Sequence, residues 1–188
     1  LWRQLRNQPM LANSLAIEAS LMAERGQFEA SMAASDEGYQ LSAAINNWWG
    51  MAFSRINLAP AYWDRGDPAQ ALAICQGVWD NARRSGFIIP FFTMPAYMAD
   101  IYGDLGMVEP ALEYLAKARA VEAPVARMYQ TLLHAVEIRV NLASGRMAEA
   151  LALDDAQPRL LADANSYYLR GAMFYSLGLI PAVRSELY

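Results

Sequence analysis

Apolar positions along the chain recur with the period of a helix. From residue 71 they fall at Ala71, Cys75, Val78, Trp79 and Ala82, the i, i+4, i+7, i+8 spacing that gives a helix one buried side. No segment sustains alternation with period two, so no sheet is expected. The start of this helix is marked as well: Asp67 stands where an N-cap belongs, Pro68 at the first helical position and Gln70 at the third. Glu109-Pro110 is expected to repeat that start one unit later.

Helical stretches are punctuated by a recurring turn built on Gly26, Gly66, Gly106, Gly145 and Gly178. The intervals are 40 (66 − 26), 40 (106 − 66), 39 (145 − 106) and 33 (178 − 145) residues. A fixed period of this kind is the signature of stacked structural repeats. Seven residues before the glycines stand Ala19, Ala59, Ala99, Ile138 and Gly171, mostly small; four before stand Met22, Tyr62, Tyr102, Asn141 and Phe174, mostly large. Five after come Ser31, Ala71, Ala111, Ala150 and Val183. Small residues on both sides of a turn let two antiparallel helices approach closely, and the glycine supplies the left-handed residue that ends the first helix. Each unit therefore reads as helix, glycine turn, helix, with linking loops near Ser42–Asn47, Ser85–Pro90, Glu122–Pro124 and Asp154–Pro158. Pro60 is expected to kink its helix, and Pro95 either to kink one or to mark a late start.

The small–aromatic–glycine–alanine pattern of Ala59, Tyr62, Gly66 and Ala71, repeated at Ala99, Tyr102, Gly106 and Ala111, resembles the tetratricopeptide repeat. Three intervals exceed that family's usual 34 residues. They are similar to the long superhelical repeats of bacterial signal-transduction ATPases, such as the maltose-regulon activator and ATPase-coupled adenylate or guanylate cyclases. The segment from Leu41 to Leu72, including Asn47-Trp48-Trp49-Gly50-Met51-Ala52-Phe53, carries this likeness most strongly. The resemblance implies an all-α, right-handed superhelix of antiparallel helix pairs spanning residues 1–188 as one array of about four and a half repeats. It also implies a regulatory scaffold or sensor segment of a larger protein. A start at Leu1 rather than Met, and an end within the helix after Gly178, fit a piece excised from a longer chain.

Composition narrows the function. Hydrophobic residues make up 55% and charged residues 18%, which excludes a disordered tail. The net charge is −4, and no basic run exceeds Arg83-Arg84, so a nucleic-acid partner is not expected. Cys75 is the sole cysteine, which forbids an intrachain disulfide and suits a reducing, cytoplasmic setting. The most apolar stretch, Phe87 to Tyr102, is interrupted by Pro90, Pro95 and Asp100, and no membrane span or signal peptide is expected.

Candidate chemistry is sparse. His134 is the only histidine and reads as a packed or solvated helix residue; Cys75 reads as a small core hydrophobe. There is no phosphate-binding glycine loop, the eleven glycines being assigned to turns and loops. Arg65-Gly66-Asp67 coincides with a repeat turn, and Asp154-Asp155 with Glu109 offers no acid–base pair. No catalytic residue, cofactor or metal is expected. In the resembled family the first helices line a concave groove, at positions that here include Asn13, Ser20, Asn57, Trp63, Tyr97, Asp100, Arg139, Tyr168 and Tyr175. The candidate groove contacts are Asn57, Trp63, Tyr97, Asp100, Arg139, Tyr168 and Tyr175, where aromatic and arginine side chains are favoured anchors. Ala16, Ile56, Ala96 and Ala135 occupy the slots a carboxylate clamp would need, so an acidic peptide tail is not the expected ligand. The function expected is binding of a protein, a peptide or neighbouring domains; the alternative is small-molecule sensing in the same groove. Self-association is expected through the C-terminal end.

Overall fold

A computed structural model of the chain describes residues 1–122 and 129–154. These residues form α1 (Gln8–Glu24), α2 (Phe28–Ala44), α3 (Trp48–Arg55), α4 (Leu58–Asp64), α5 (Pro68–Ser85), α6 (Pro90–Asp104), α7 (Val108–Arg119), α8 (Gln130–Ala143) and α9 (Met147–Asp154). The fold is all-helical, with no strand among the described residues. Two compact units can be distinguished, Leu1–Met94 and Pro95–Tyr188, the division falling inside α6. The expected turn at Gly178, with Gly171, Phe174, Val183 and Pro158, lies outside the described residues.

The glycine turns have one geometry. Gly26, Gly66, Gly106 and Gly145 have φ of 72, 78, 71 and 69°. In each, the N–H after the glycine donates to the carbonyl four residues before it: Gln27 to Met22 (2.9 Å), Asp67 to Tyr62 (3.0 Å), Met107 to Tyr102 (2.8 Å) and Arg146 to Asn141 (2.8 Å). That bond satisfies a carbonyl left over at the helix end.

The same turn also occurs where no glycine period announces it. Gly86 (φ 70°), Asn46 (φ 54°) and Arg6 (φ 53°) are left-handed, and Phe87 donates to Ala82 (3.2 Å), Asn47 to Ser42 (2.8 Å) and Asn7 to Trp2 (3.1 Å). Left-handed residues thus stand at 6, 26, 46, 66, 86 and 106, a step of 20 each time (26 − 6 through 106 − 86). The expected 40-residue unit is therefore two helices closed by like turns. The residue following the turn often caps the next helix. Asn7 Oδ1 accepts from Met10 N (3.1 Å), Asn47 Oδ1 from Gly50 N (3.0 Å) and Asp67 Oδ1 from Gln70 N (3.0 Å).

Proline and acid placements depart from expectation in detail. Pro60 does interrupt its helix, but the break lies at Ile56–Asn57, between α3 and α4. Proline lacks the N–H that would bond to the carbonyl four residues earlier, which is that of Ile56, so the helix parts there. Of the two expectations for Pro95, the late start is not met: α6 begins at Pro90 and holds Pro95 inside it, the setting in which proline kinks a helix. Glu109 does not repeat the cap of Asp67: Met107 occupies the cap position of α7 without a side-chain bond, and Glu109 lies in the first turn, where a negative charge is favourable.

Packing uses the small positions. Ala59, Ala71, Ala99, Ala111 and Ala150 are completely buried, and Ala19, Ser31 and Ile138 nearly so. Ser31 Oγ donates to the Ala19 carbonyl across the first turn at 2.7 Å, joining α2 to α1. In the first unit α1 packs on α2 and α3, while α3 and α4 pack on α5. The buried side of α2 consists of Ser31, Ala34, Ser35, Gly38 and Ser42. Three helical glycines, Gly38, Gly50 and Gly103, permit these approaches, so the glycines are not confined to turns and loops. A Cβ on Gly38 would lie 2.9 Å from Ser54 Oγ and 3.2 Å from the Ala12 carbonyl oxygen, and one on Gly103 3.2 Å from Val140 Cγ2. In the second unit Ala96 and Ala99, Ala111, Leu115 and Ala118, and Leu132, Val136 and Val140 form one cluster from α6, α7 and α8. Ile138 and Ala150 join α8 to α9.

Candidate functional site

The candidate groove residues fall into separate local arrangements. In the second unit Asp100 of α6 meets Arg139 of α8. Nε donates to Oδ1 at 2.7 Å and Nη2 to Oδ2 at 2.5 Å, a bidentate pair mostly removed from water. Such a fork is directional and stronger than a single-contact pair. Tyr97, one turn before Asp100, is half-buried against the cluster of α6, α7 and α8. Two charged residues not singled out in the sequence join the same helices: Arg119 of α7 forms an ion pair with Glu137 of α8, whose residue is buried. His134, half-buried on α8, has its basicity lowered by burial, against a hydrogen bond to the Gln130 backbone, with the positive Arg119 lowering it further.

In the first unit Asn57, exposed at the break between α3 and α4, donates through Nδ2 to Ser20 Oγ of α1 at 2.5 Å. Ser20 Oγ in turn donates to the Ala16 carbonyl at 3.2 Å. Trp63 is half-buried near the end of α4. Among the seven candidates, Asp100 and Arg139 are brought into direct contact; Asn57 contacts Ser20 instead. Tyr168 and Tyr175 lie outside the described residues.

A surface feature of the first unit was hidden in the Asn47–Phe53 segment. Trp49 stacks on Phe53 with ring centroids 4.7 Å apart and meets Phe87 at 5.3 Å, and Phe53 and Phe87 lie edge to face at 6.3 Å. The guanidinium of Arg84 sits 4.4 Å from the centre of the Trp48 ring. Asn46 and Gly86 bring these residues together, because their turns start α3 and end α5. Trp49 is 40% exposed, and Ile45 and Ile88 are exposed beside the same turns. Tryptophan, arginine and exposed aliphatic groups together make a surface of the kind used to anchor protein partners.

Elsewhere the chemistry is quiet. Cys75 is fully buried, and burial pushes its thiol pKa up to about 12, so it is held as the uncharged thiol. Among the described residues no three His, Cys, Asp or Glu side chains are grouped to hold a metal ion, and no helix is long and apolar enough to cross a membrane. Comparison with known proteins finds no matching family model, curated protein or solved structure.

Proposed function

We propose that the chain is a tetratricopeptide-like array of helix pairs serving as a protein-interaction or regulatory scaffold segment of a larger cytoplasmic, bacterial signalling or transcription-regulating protein. The observation that carries this reading is the left-handed turn recurring every 20 residues from Arg6 to Gly106, with the same closing hydrogen bond. One helix-turn unit used again and again suits stacking, in which each unit contacts its neighbours and leaves extended surfaces for a partner. The half-exposed Trp49 stack, with Arg84 on Trp48, supports protein or peptide as the ligand class.

A thermal-shift screen of peptides against metabolites tests the reading, since a ligand bound only by the native state raises its melting point. Expected are shifts with peptides, lost in Trp49→Ala. Shifts confined to metabolites, and unchanged in Trp49→Ala, would replace this reading with small-molecule sensing.

A further inference from the structure

Resting on the reading of the Trp49 edge as a protein-binding surface, we infer the chemistry of the segment it takes: an apolar side chain with a carboxylate a few residues away, the carboxylate received by Arg84. Trp49, Ile45 and Ile88 are exposed on this edge. No residue from 41 to 53 or from 85 to 89 is charged. Arg84, itself exposed at the end of α5, is thus the charge that borders an apolar surface.

Other cations placed over rings in this chain also meet a carboxylate. Arg55 lies 3.9 Å from the centre of the Tyr39 ring and pairs with Asp36 at 2.8 Å. Arg65 lies 5.8 Å from Phe28 and pairs with Glu29 at 2.9 Å. Lys117 lies 4.3 Å from Tyr114 and pairs with Glu113 at 2.6 Å. Arg83, 4.7 Å from Trp79, has Asp80 at 3.9 Å. Arg84, 4.4 Å from Trp48, breaks the pattern: among the described residues no carboxylate forms an ion pair with it. Asp80 stands one turn earlier on α5, but it accepts from Gln76 Nε2 at 3.1 Å and faces Arg83. Attraction to a ring face holds a guanidinium without using its N–H donors, and those donors form a planar fork that matches a carboxylate.

Charge complementarity decides among the occupants. A wholly apolar segment would strip water from Arg84 and put nothing in its place, which is costly. A second copy docking through the same edge would bring another Arg84 and no carboxylate. An anionic membrane attracts clusters of basic residues, whereas here Arg83 faces Asp80 and the whole chain carries −4. That net charge also repels a run of acids. One carboxylate beside an apolar anchor satisfies both parts of the surface. Trp48 and Trp49 are consecutive, so the group lying on Trp49 and the carboxylate on the guanidinium over Trp48 stand close together in the partner.

Fluorescence polarisation with dye-labelled glycine–serine peptides tests this. Peptides of one set carry a tryptophan or leucine and, a few residues away, a glutamate; glutamine replaces the glutamate in a second set and lysine in a third. The glutamate set is expected to bind about tenfold or more tighter than the glutamine set. Arg84→Gln is expected to abolish that preference and Arg84→Glu to transfer it to the lysine set, with helical circular dichroism unchanged because the site is exposed. A glutamate preference that survives Arg84→Gln would overturn the proposal. Equal binding of the glutamate and glutamine sets, lost in Trp49→Ala, would overturn it too while leaving the protein-binding reading in place. Binding of no peptide set, or of phosphatidylserine vesicles in place of peptides, would overturn both.

Discussion

Alanine placed at two helical glycines should move stability in opposite directions. Gly77 lies in α5 with nothing within 4 Å of a Cβ added there. Replacing it with alanine gains helix propensity alone, about 0.8–1.0 kcal/mol. Gly38 lies in α2, and its Cβ would stand 2.9 Å from Ser54 Oγ, 3.2 Å from the Ala12 carbonyl oxygen and 3.5 Å from Leu15 Cβ. These neighbours belong to two different helices. Ser54 Oγ is already engaged with the Gly50 carbonyl at 2.8 Å, and its own carbonyl accepts from Ser35. The Ala12 oxygen is backbone. Neither contact can yield cheaply, so α2 must move away from α1 or α3. Overpacking of this kind costs about 1–3 kcal/mol, against the same gain of about 1. The net loss then falls at about 0–2 kcal/mol, and Gly38→Ala is expected in the upper half of that range because the Ala12 oxygen is backbone and cannot rotate away. Urea unfolding followed at 222 nm, with the slope held constant, measures both differences. A shift of the same sign in the two variants would refute the packing argument.

Three further outcomes follow from the second unit and the core. Asp100→Ala removes the carboxylate that meets two nitrogens of Arg139 in a mostly buried setting, and should cost about 3 kcal/mol by urea unfolding. Cys75 should resist a thiol reagent at pH 8 in the folded chain and react at once in urea, because its thiol is buried and its pKa is pushed up to about 12. His134 has a folded pKa below its ordinary 6.5, so the unfolded chain binds its proton more readily. Its contribution to stability is then present above pH 6.5 and is lost as pH falls through the folded pKa. His134→Gln should flatten that part of the pH–stability curve.

Much of the helical frame was legible because glycine is the one residue that takes the left-handed conformation without penalty. Gly26, Gly66, Gly106 and Gly145 therefore announced their turns, and the small residues around them announced the close helix contacts. Half of the 20-residue period was hidden for the same reason. At positions 6 and 46 the left-handed residue is arginine or asparagine, which leaves no glycine to count, and Gly86 falls in a segment legible only as a linking loop. The helix break at Asn57 was displaced from Pro60 because the effect of a missing N–H is felt at the carbonyl four residues earlier. Glycines such as Gly38 are indistinguishable in sequence from turn glycines until the neighbouring helix is in place. Of the candidate site, the types Asp100 and Arg139 were visible, and their separation of 39 residues matches one repeat interval. Their pairing needed α6 and α8 side by side. The Trp49 stack depends likewise on residues that follow two turns 40 residues apart, Asn46 and Gly86, the rings of Trp49 and Phe87 lying 5.3 Å apart.

The central structural claim is that the turns recur every 20 residues in one conformation, and Gly86→Ala tests it most directly. Gly86 has φ 70°, and an added Cβ would touch nothing within 4 Å, so the substitution probes backbone conformation alone. Unfolding free energy is expected to fall by about 1 kcal/mol, the cost of a left-handed residue bearing a Cβ. A gain of about the same size, as alanine gives at a glycine of ordinary φ, would contradict the claim.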